Sequence, residues 1–241
     1  KINQFKQIYN VADSCKQSEL ERAAKTSVAL DLLVEKNQLG SLAYYYEGDG
    51  DPAYQDIVTS LIPGLTLLTG RNVPVAGEYE IKNVQAMKIM DILGCGGSFS
   101  EFYAMDFEAD EILLGHDGPA HFSIADGKVG LVPVPVYHGK PGMGLSIQMK
   151  VKYGPVTLLS VAQNSKGDLF FVCAEGESVK GETLQIGNTN SRYKFPISIR
   201  EFIDSWSLAG PSHHCAIGVG HKKSTIKKIA KLLKIDCIEI C

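Results

Sequence analysis

Four stretches of this chain bring together side-chain types that do chemistry. In residues 98–107 the alternation has period two, and Glu101 falls on the parity of Phe99, Tyr103, Met105 and Phe107, with Ser98, Ser100 and Asp106 on the other. An unpaired carboxylate buried in such a row costs several kcal/mol or takes up a proton. A metal ion or an arginine removes that penalty; so does a strand end that lets the side chain reach water. His116-Asp117-Gly118-Pro119 follows the apolar strand Ile112-Leu113-Leu114. Loops at strand ends are where rigid scaffolds hold functional groups, although Asp-Gly is also a common plain turn. His138 sits between Pro133-Val134-Pro135-Val136-Tyr137 and Gly139-Lys140-Pro141-Gly142, where prolines leave the backbone little freedom. His213-His214 lies between Gly210-Pro211 and the small-residue run Ala216-Ile217-Gly218-Val219-Gly220. Adjacent histidines are expected to point apart, so at most one of the two should face a given site. Imidazole mixed with carboxylate suits manganese, cobalt or zinc, and open coordination positions mark a catalytic ion.

The other motif classes are missing. There is no H-E-x-x-H and no G-x-S-x-G elbow. Gly218-Val219-Gly220-His221-Lys222-Lys223-Ser224 opens a helix but is not a phosphate loop, because His221 stands where that motif needs glycine. Lys222, Lys223, Lys227, Lys228, Lys231 and Lys234 read as the solvated face of that helix. His121 leads another strand and reads as a packing or surface residue. All six histidines lie beyond residue 115, so the chemistry is expected in the second half.

Composition sets the wider bounds. The chain has 241 residues, 44% hydrophobic and 21% charged, with a net charge of −3 at pH 7. That is an ordinary globular composition with no general attraction to nucleic acid or anionic lipid. No apolar run approaches the roughly 20 residues of a membrane helix, and no basic-then-apolar leader is recognisable. The chain begins at Lys1, which reads as a processed chain or the back portion of a longer one. The six cysteines are scattered without a C-x-x-C pair, so free thiols and a cytoplasmic location are expected.

These residues need elements to position them. Ser18-Glu19-Leu20-Glu21 reads as a capping box, opening a helix with Leu20, Ala24, Ser27/Val28, Leu32 and Leu33 inward and Gly40 as its left-handed cap. A strand over residues 42–46 and a Gly48-Asp49-Gly50 turn follow. Asp51-Pro52 caps a helix to about Leu61, which Pro63-Gly64 is expected to break. A third helix is expected over residues 78–93, with Ile81, Val84, Met87 and Ile92 inward and Gly94 at its end. With one strong strand, this sheet is expected to draw partners from residues preceding Lys1. Beyond it, strands over residues 98–107, 112–114, 145–151, 156–162 and 169–174, with turns at Asp126-Gly127 and residues 164–168, argue for an antiparallel barrel or sandwich. Short helices over residues 196–207 and 224–234 and a last strand over residues 237–240 complete the chain. The period changes at Gly94-Cys95-Gly96-Gly97, so the expected fold is α+β/mixed: a partial α/β layer in residues 1–96, then a barrel domain in residues 97–241 with C-terminal helices.

At these residues the chain resembles the C-terminal half of the L-arabinose isomerase family, and more distantly L-fucose isomerase. The likeness rests on an ordered set: Leu61-Ile62-Pro63-Gly64 with Ala76-Gly77-Glu78, then Gly96-Gly97-Ser98-Phe99-Ser100-Glu101, Leu114-Gly115-His116, Val136-Tyr137-His138-Gly139, and Trp206-Ser207-Leu208-Ala209-Gly210-Pro211-Ser212-His213-His214. The resemblance implies a β-barrel domain and a metal-dependent aldose–ketose isomerase acting through an enediol, usually with Mn2+, or another divalent ion such as Co2+. It implies two acids and two histidines as metal ligands: Glu101, Asp117, His138 and His214, with Glu101 and Asp117 also the catalytic pair. L-arabinose isomerases carry a Glu after the Leu-Gly-x-His stretch; this chain has Gly118-Pro119 there, and Asp117 resembles the Asp that L-fucose isomerase uses. His116, His213 and Lys140 are the side chains expected to face the sugar. A monosaccharide partner and a homo-oligomer follow from the same likeness. The alternative is a non-catalytic sugar-binding relative that kept the barrel. Replacing Glu101 by Gln is expected to leave the fold intact and remove most turnover; a purified Glu101→Gln protein with near wild-type rate would contradict the role given to it.

Overall fold

The computed structural model describes residues 1–46, 51–134 and 144–241 in full and the backbone alone at 136, 137, 140 and 141. The expected Gly48-Asp49-Gly50 turn, His138 and the side chain of Lys140 lie outside the described residues. The first part runs α1 (Ile2–Ile8), β1 (Asn10–Val11), α2 (Gln17–Asn37), β2 (Leu42–Ala43), α3 (Pro52–Val58), α4 (Ile62–Thr69), β3 (Val75–Ala76) and α5 (Ile81–Ile92). The second runs β4 (Gly96–Asp106), β5 (Glu111–His116), β6 (Gly130–Pro133), β7 (Val136–Tyr137), β8 (Lys140–Pro141), β9 (Leu145–Gln148), β10 (Gly154–Gln163), β11 (Leu169–Val179) and β12 (Thr189–Lys194). It ends with α6 (Ile199–Leu208), β13 (Cys215–Val219), α7 (Lys223–Leu233) and β14 (Asp236–Glu239).

The choice between barrel and sandwich is decided by β10. It pairs antiparallel with β13 on one side and with β11 on the other, so the order β10-β13-β4-β5-β12-β11 closes into an antiparallel ring. β14 adds to β11 in parallel. The strands of the ring alternate between two environments, β4 as far as Phe102. Ile112, Leu114, Val156, Leu158, Val172, Ala174, Tyr193 and Ile217 fill the interior with Phe202 and Trp206 of α6. Phe99, Leu159, Val161, Phe171 and Ala216 face outward under Met87 and Met90 of α5 and Ile226 and Ala230 of α7. The interior cluster continues into Phe5, Tyr9, Leu20 and Leu67, so the leading helices pack on the barrel through one apolar core. β2 and β3 pair in parallel across α3 and α4, a small α/β unit. Among the described residues no helix is long and apolar enough to cross a membrane.

Several local expectations are corrected. Helix α2 starts at Gln17 with Lys16 as its cap residue, so Ser18 lies inside the first turn and forms no capping box. Its end is Gln38, left-handed at φ 50°, where Leu39 N–H closes onto Val34 O at 3.0 Å; Gly40 lies beyond it. Its inward face turns toward Ala23 and Leu30, leaving Leu32 and Leu33 exposed. Pro63-Gly64 does not break a helix. It sits in the first turn of α4, where proline costs no hydrogen bond. Helix α5 begins at Ile81 rather than Glu78, and Ile81 and Ile92 are exposed while Asn83, Ala86 and Met90 are buried. Leu233 is exposed on α7. In β4 a bulge between Phe102 and Ala104 breaks the alternation. Past it, Met105 and Phe107 face solvent, and Phe102 turns inward against Phe202 and Trp206. His121 leads a 3-10 turn, not a strand, and is buried with Nε2 3.3 Å from Asp91 Oδ1.

Helix α5 approaches β4 closely at Gly97. Its φ is +115°, and a Cβ there would lie 2.6 Å from the Met87 carbonyl oxygen. Gly97→Ala is therefore expected to destabilise the fold by at least about 1–3 kcal/mol in denaturant titration; an unchanged midpoint would contradict this packing.

Candidate metal and acid–base site

Strand register assembles the site. In the β13–β4 ladder Cys215 stands opposite Ser100. One step outward on each strand brings His214 beside Glu101. On the other side of β4, Gly115 of β5 stands opposite Glu101, so His116 arrives next to the same strand end. β12 sets Thr189 opposite His116, and the following step brings Asn188 to Asp117. The turn between β3 and α5 lies over these ends and contributes Glu78 and Glu80.

His214 is 1% exposed. Its ring stacks on Phe99 at 4.3 Å and 27°, and His116 meets it edge-on at 5.0 Å and 69°. His214 Nδ1 is 3.2 Å from Glu80 Oε1. Its Nε2 is buried and has no hydrogen-bond partner among the described residues. That nitrogen lies 3.7 Å from Glu78 Oε1 and 4.0 Å from Glu101 Oε2. His213 Nε2 reaches Glu101 Oε2 at 2.7 Å from the exposed rim. Both adjacent histidines therefore face one carboxylate, with rings at 77°, against the expectation that they diverge. Two overlapping sets place one donor atom from each residue within 4.8 Å: Glu78, His116 and His214, and Glu101, His213 and His214.

The two sets differ in chemistry. Gly118 N–H donates to His116 Nδ1 at 2.8 Å. A backbone amide only donates, so in the neutral ring the His116 proton is on Nε2. That N–H faces Glu78 Oε1 at 3.7 Å, a charge-assisted contact longer than a full hydrogen bond. The His116 contact, opposed by partial burial, holds Glu78 below its usual carboxylate range. His116 is thus set as a donor rather than a metal ligand. His214 offers the reverse: a buried nitrogen with no hydrogen-bond partner among the described residues, facing carboxylates. Imidazole nitrogen with Glu101 and Glu78 fits a divalent ion of the manganese–cobalt–zinc kind. A cavity of about 520 Å³ lined by Glu78, Tyr79, Glu80, Lys82, Ser212 and His213 opens beside the cluster. A cavity of about 640 Å³ along the lysine face of α7 lies away from it.

Asp117 belongs to neither set. Its Oδ1 accepts from Tyr103 Oη at 3.3 Å and from Asn188 Nδ2 at 3.2 Å. Asn188 is itself fully buried and receives Asn190 Nδ2 on its Oδ1. Burial, with the charges of Asp117 and Glu101, pushes the Tyr103 phenol far above its usual range, so it stays protonated as a donor near both acids. Of the residues singled out in the sequence, Glu101, His213 and His214 converge, His116 joins them through Glu78, and Asp117 stands beside them through Tyr103. Glu78 and Glu80 were missed as site residues. They precede the histidine-bearing half, and the only sequence signal was the Ala76-Gly77-Glu78 stretch.

A closed antiparallel barrel thus gathers imidazoles and carboxylates at one strand end, a donor set of the kind that could hold a metal ion. Residues 96–236 match the family described as the L-arabinose isomerase C-terminal domain, and the chain belongs to that family. It is also similar to the L-arabinose isomerase of Shouchella clausii (strain KSM-K16), 22% identical over 254 residues, an alignment covering 99% of this chain and 49% of that protein. The chain spans about half the length of that curated relative.

Tyr103→Phe removes a donor to Asp117 and is expected to cost about 1 kcal/mol at pH 7. The phenol's pKa is raised in the fold, so its contribution is present below the unfolded value near 10 and is lost as pH rises through the alkaline range. The stability advantage of wild type over Tyr103→Phe should therefore shrink above about pH 10; a wild-type advantage that grows there would contradict the assignment.

Proposed function

We propose that this chain carries the acid–base and metal-binding end of an aldose–ketose isomerase acting on a monosaccharide. The observation that supports it most is the buried His214 Nε2, which has no hydrogen-bond partner among the described residues and faces the carboxylates of Glu101 and Glu78. The family to which the chain belongs and its L-arabinose isomerase relative support the reaction class. His214, Glu101 and Glu78 would hold a divalent ion such as Mn2+ or Co2+, with His138 and Asp117 in the set the resemblance implies, and the ion when bound would polarise the sugar carbonyl. In this reading Glu101 takes the proton from the carbon beside the carbonyl. Asp117, backed by the protonated Tyr103 and by Asn188, serves the second proton transfer. His116 Nε2–H and the rim residue His213 orient sugar oxygens, with Lys140 as a further expected contact. Such proton transfers typically contribute about 10²–10⁴-fold each. The reading includes residues 1–96 as the C-terminal part of an α/β domain, residues 97–241 as the barrel domain, a homo-oligomer and a cytoplasmic setting.

The test is direct. Full-length protein is stripped of metal, resupplied with Mn2+ and given a panel of free pentoses and hexoses in deuterated water. At least one aldose should yield its ketose with solvent deuterium at the carbon beside the carbonyl, and His214→Ala should abolish it. Failure of every aldose with metal-loaded protein would overturn the isomerase reading in favour of a sugar-binding relative.

A further inference from the structure

We infer that Glu80 is a positioning residue of this site: it fixes the tautomer of His214 by accepting the Nδ1 proton, leaving the Nε2 lone pair facing the carboxylates of Glu101 and Glu78. The geometry gives the first support. Glu80 Oε1 lies 3.2 Å from His214 Nδ1, and a carboxylate only accepts. The proton is therefore on Nδ1, the opposite placement from His116, whose Nδ1 is claimed by the Gly118 amide. Two imidazoles 5.0 Å apart are held in opposite tautomers, one presenting a lone pair and the other an N–H.

The second support is what Glu80 does not do. It occupies the N-cap of α5 yet makes no side-chain bond to the first-turn amides, so its carboxylate is not engaged by the helix. The carboxylate is turned to His214 instead. The third support is the backbone that turns it. Glu78 and Tyr79 both adopt left-handed φ values, 56° and 55°, without being glycine. Such residues cost about 1–3 kcal/mol each and persist where the surroundings impose them. Here Tyr79 N–H bonds Tyr44 O at 3.1 Å, Glu80 N–H bonds Gly77 O at 2.9 Å, and the Tyr79 ring stacks on Tyr45 at 5.1 Å. The turn thus aims two acids at one histidine from the half of the chain that carries no histidine.

This rests on the metal-site reading above, and its consequence there is metal affinity, because a carboxylate behind a ligating histidine is typically worth about 10–100-fold. Two measurements on the full-length protein separate the inference from that reading. The first needs no metal: long-range proton–nitrogen NMR reads the His214 tautomer. Wild type should carry the proton on Nδ1, Glu80→Gln should retain it through the amide oxygen, and Glu80→Ala should lose it. The second is titration with Mn2+ alone, where Glu80→Ala should bind about 10–100-fold more weakly and Glu80→Gln only a few-fold more weakly. An unchanged His214 tautomer in Glu80→Ala, or wild type with the proton on Nε2, overturns the inference. Should Glu80→Ala fail to fold, the wild-type tautomer and the Glu80→Gln affinity decide it. If wild type binds no Mn2+ while the tautomer responds to Glu80→Ala, the positioning role stands and the metal reading fails.

Discussion

The site depends on the register of β13 against β4. With Cys215 opposite Ser100, His214 has to meet Glu101, although 113 positions separate them along the chain. A slip of one residue would send His214 to the other face of the ring and Glu101 away from it. Barrel closure holds that register from both sides, since β13 also pairs with β10, which pairs with β11. The β13–β4 ladder runs in step from Cys215 opposite Ser100 to Ile217 opposite Ser98 and shifts at Ile217/Gly218, while the bulge at Phe102/Ala104 lies in the pairing of β4 with β5. Within the ring, the interior is filled with apolar side chains and the outward face carries Phe99, on which His214 stacks.

Burying a nitrogen acceptor without a partner costs on the order of 1–3 kcal/mol. The structure meets that cost with a stacked aromatic, an edge-on second imidazole and an acid on the far nitrogen. The acid comes from the turn ahead of α5, and α5 is pinned to the barrel's outer face through Met87 and Met90. The leading helices join the same apolar cluster that fills the barrel. The first 95 residues therefore do more than precede the barrel: they deliver Glu78 and Glu80 to the ends of its strands.

Much of this was legible in the sequence where local rules act alone. The period-two runs, the hairpin around Asn164 and the helix carrying Phe202 and Trp206 stand where alternation and turn chemistry put them. Glu101 was visible as a carboxylate on an apolar parity. What was not legible has physical reasons. No sequence rule announces two left-handed non-glycine residues, so the helix was expected from Glu78, three residues before it begins at Ile81. The bulge at Tyr103 redirected a row that simple alternation carried on to Met105 and Phe107. The expectation that His213 and His214 diverge failed because Glu101 lies where an exposed and a buried ring both reach it. The histidine census pointed to the second half and so concealed the acids of the first.

The central claim is that His214 Nε2 and the Glu101 carboxylate share one divalent ion. Anomalous diffraction from crystals of the full-length protein soaked in Mn2+ tests it most directly. The account predicts a single strong peak within bonding distance of both atoms, about 2.0–2.3 Å. A peak that avoids residue 214, or density showing that nitrogen hydrogen-bonded to a neighbouring side chain in the soaked crystal, would contradict it.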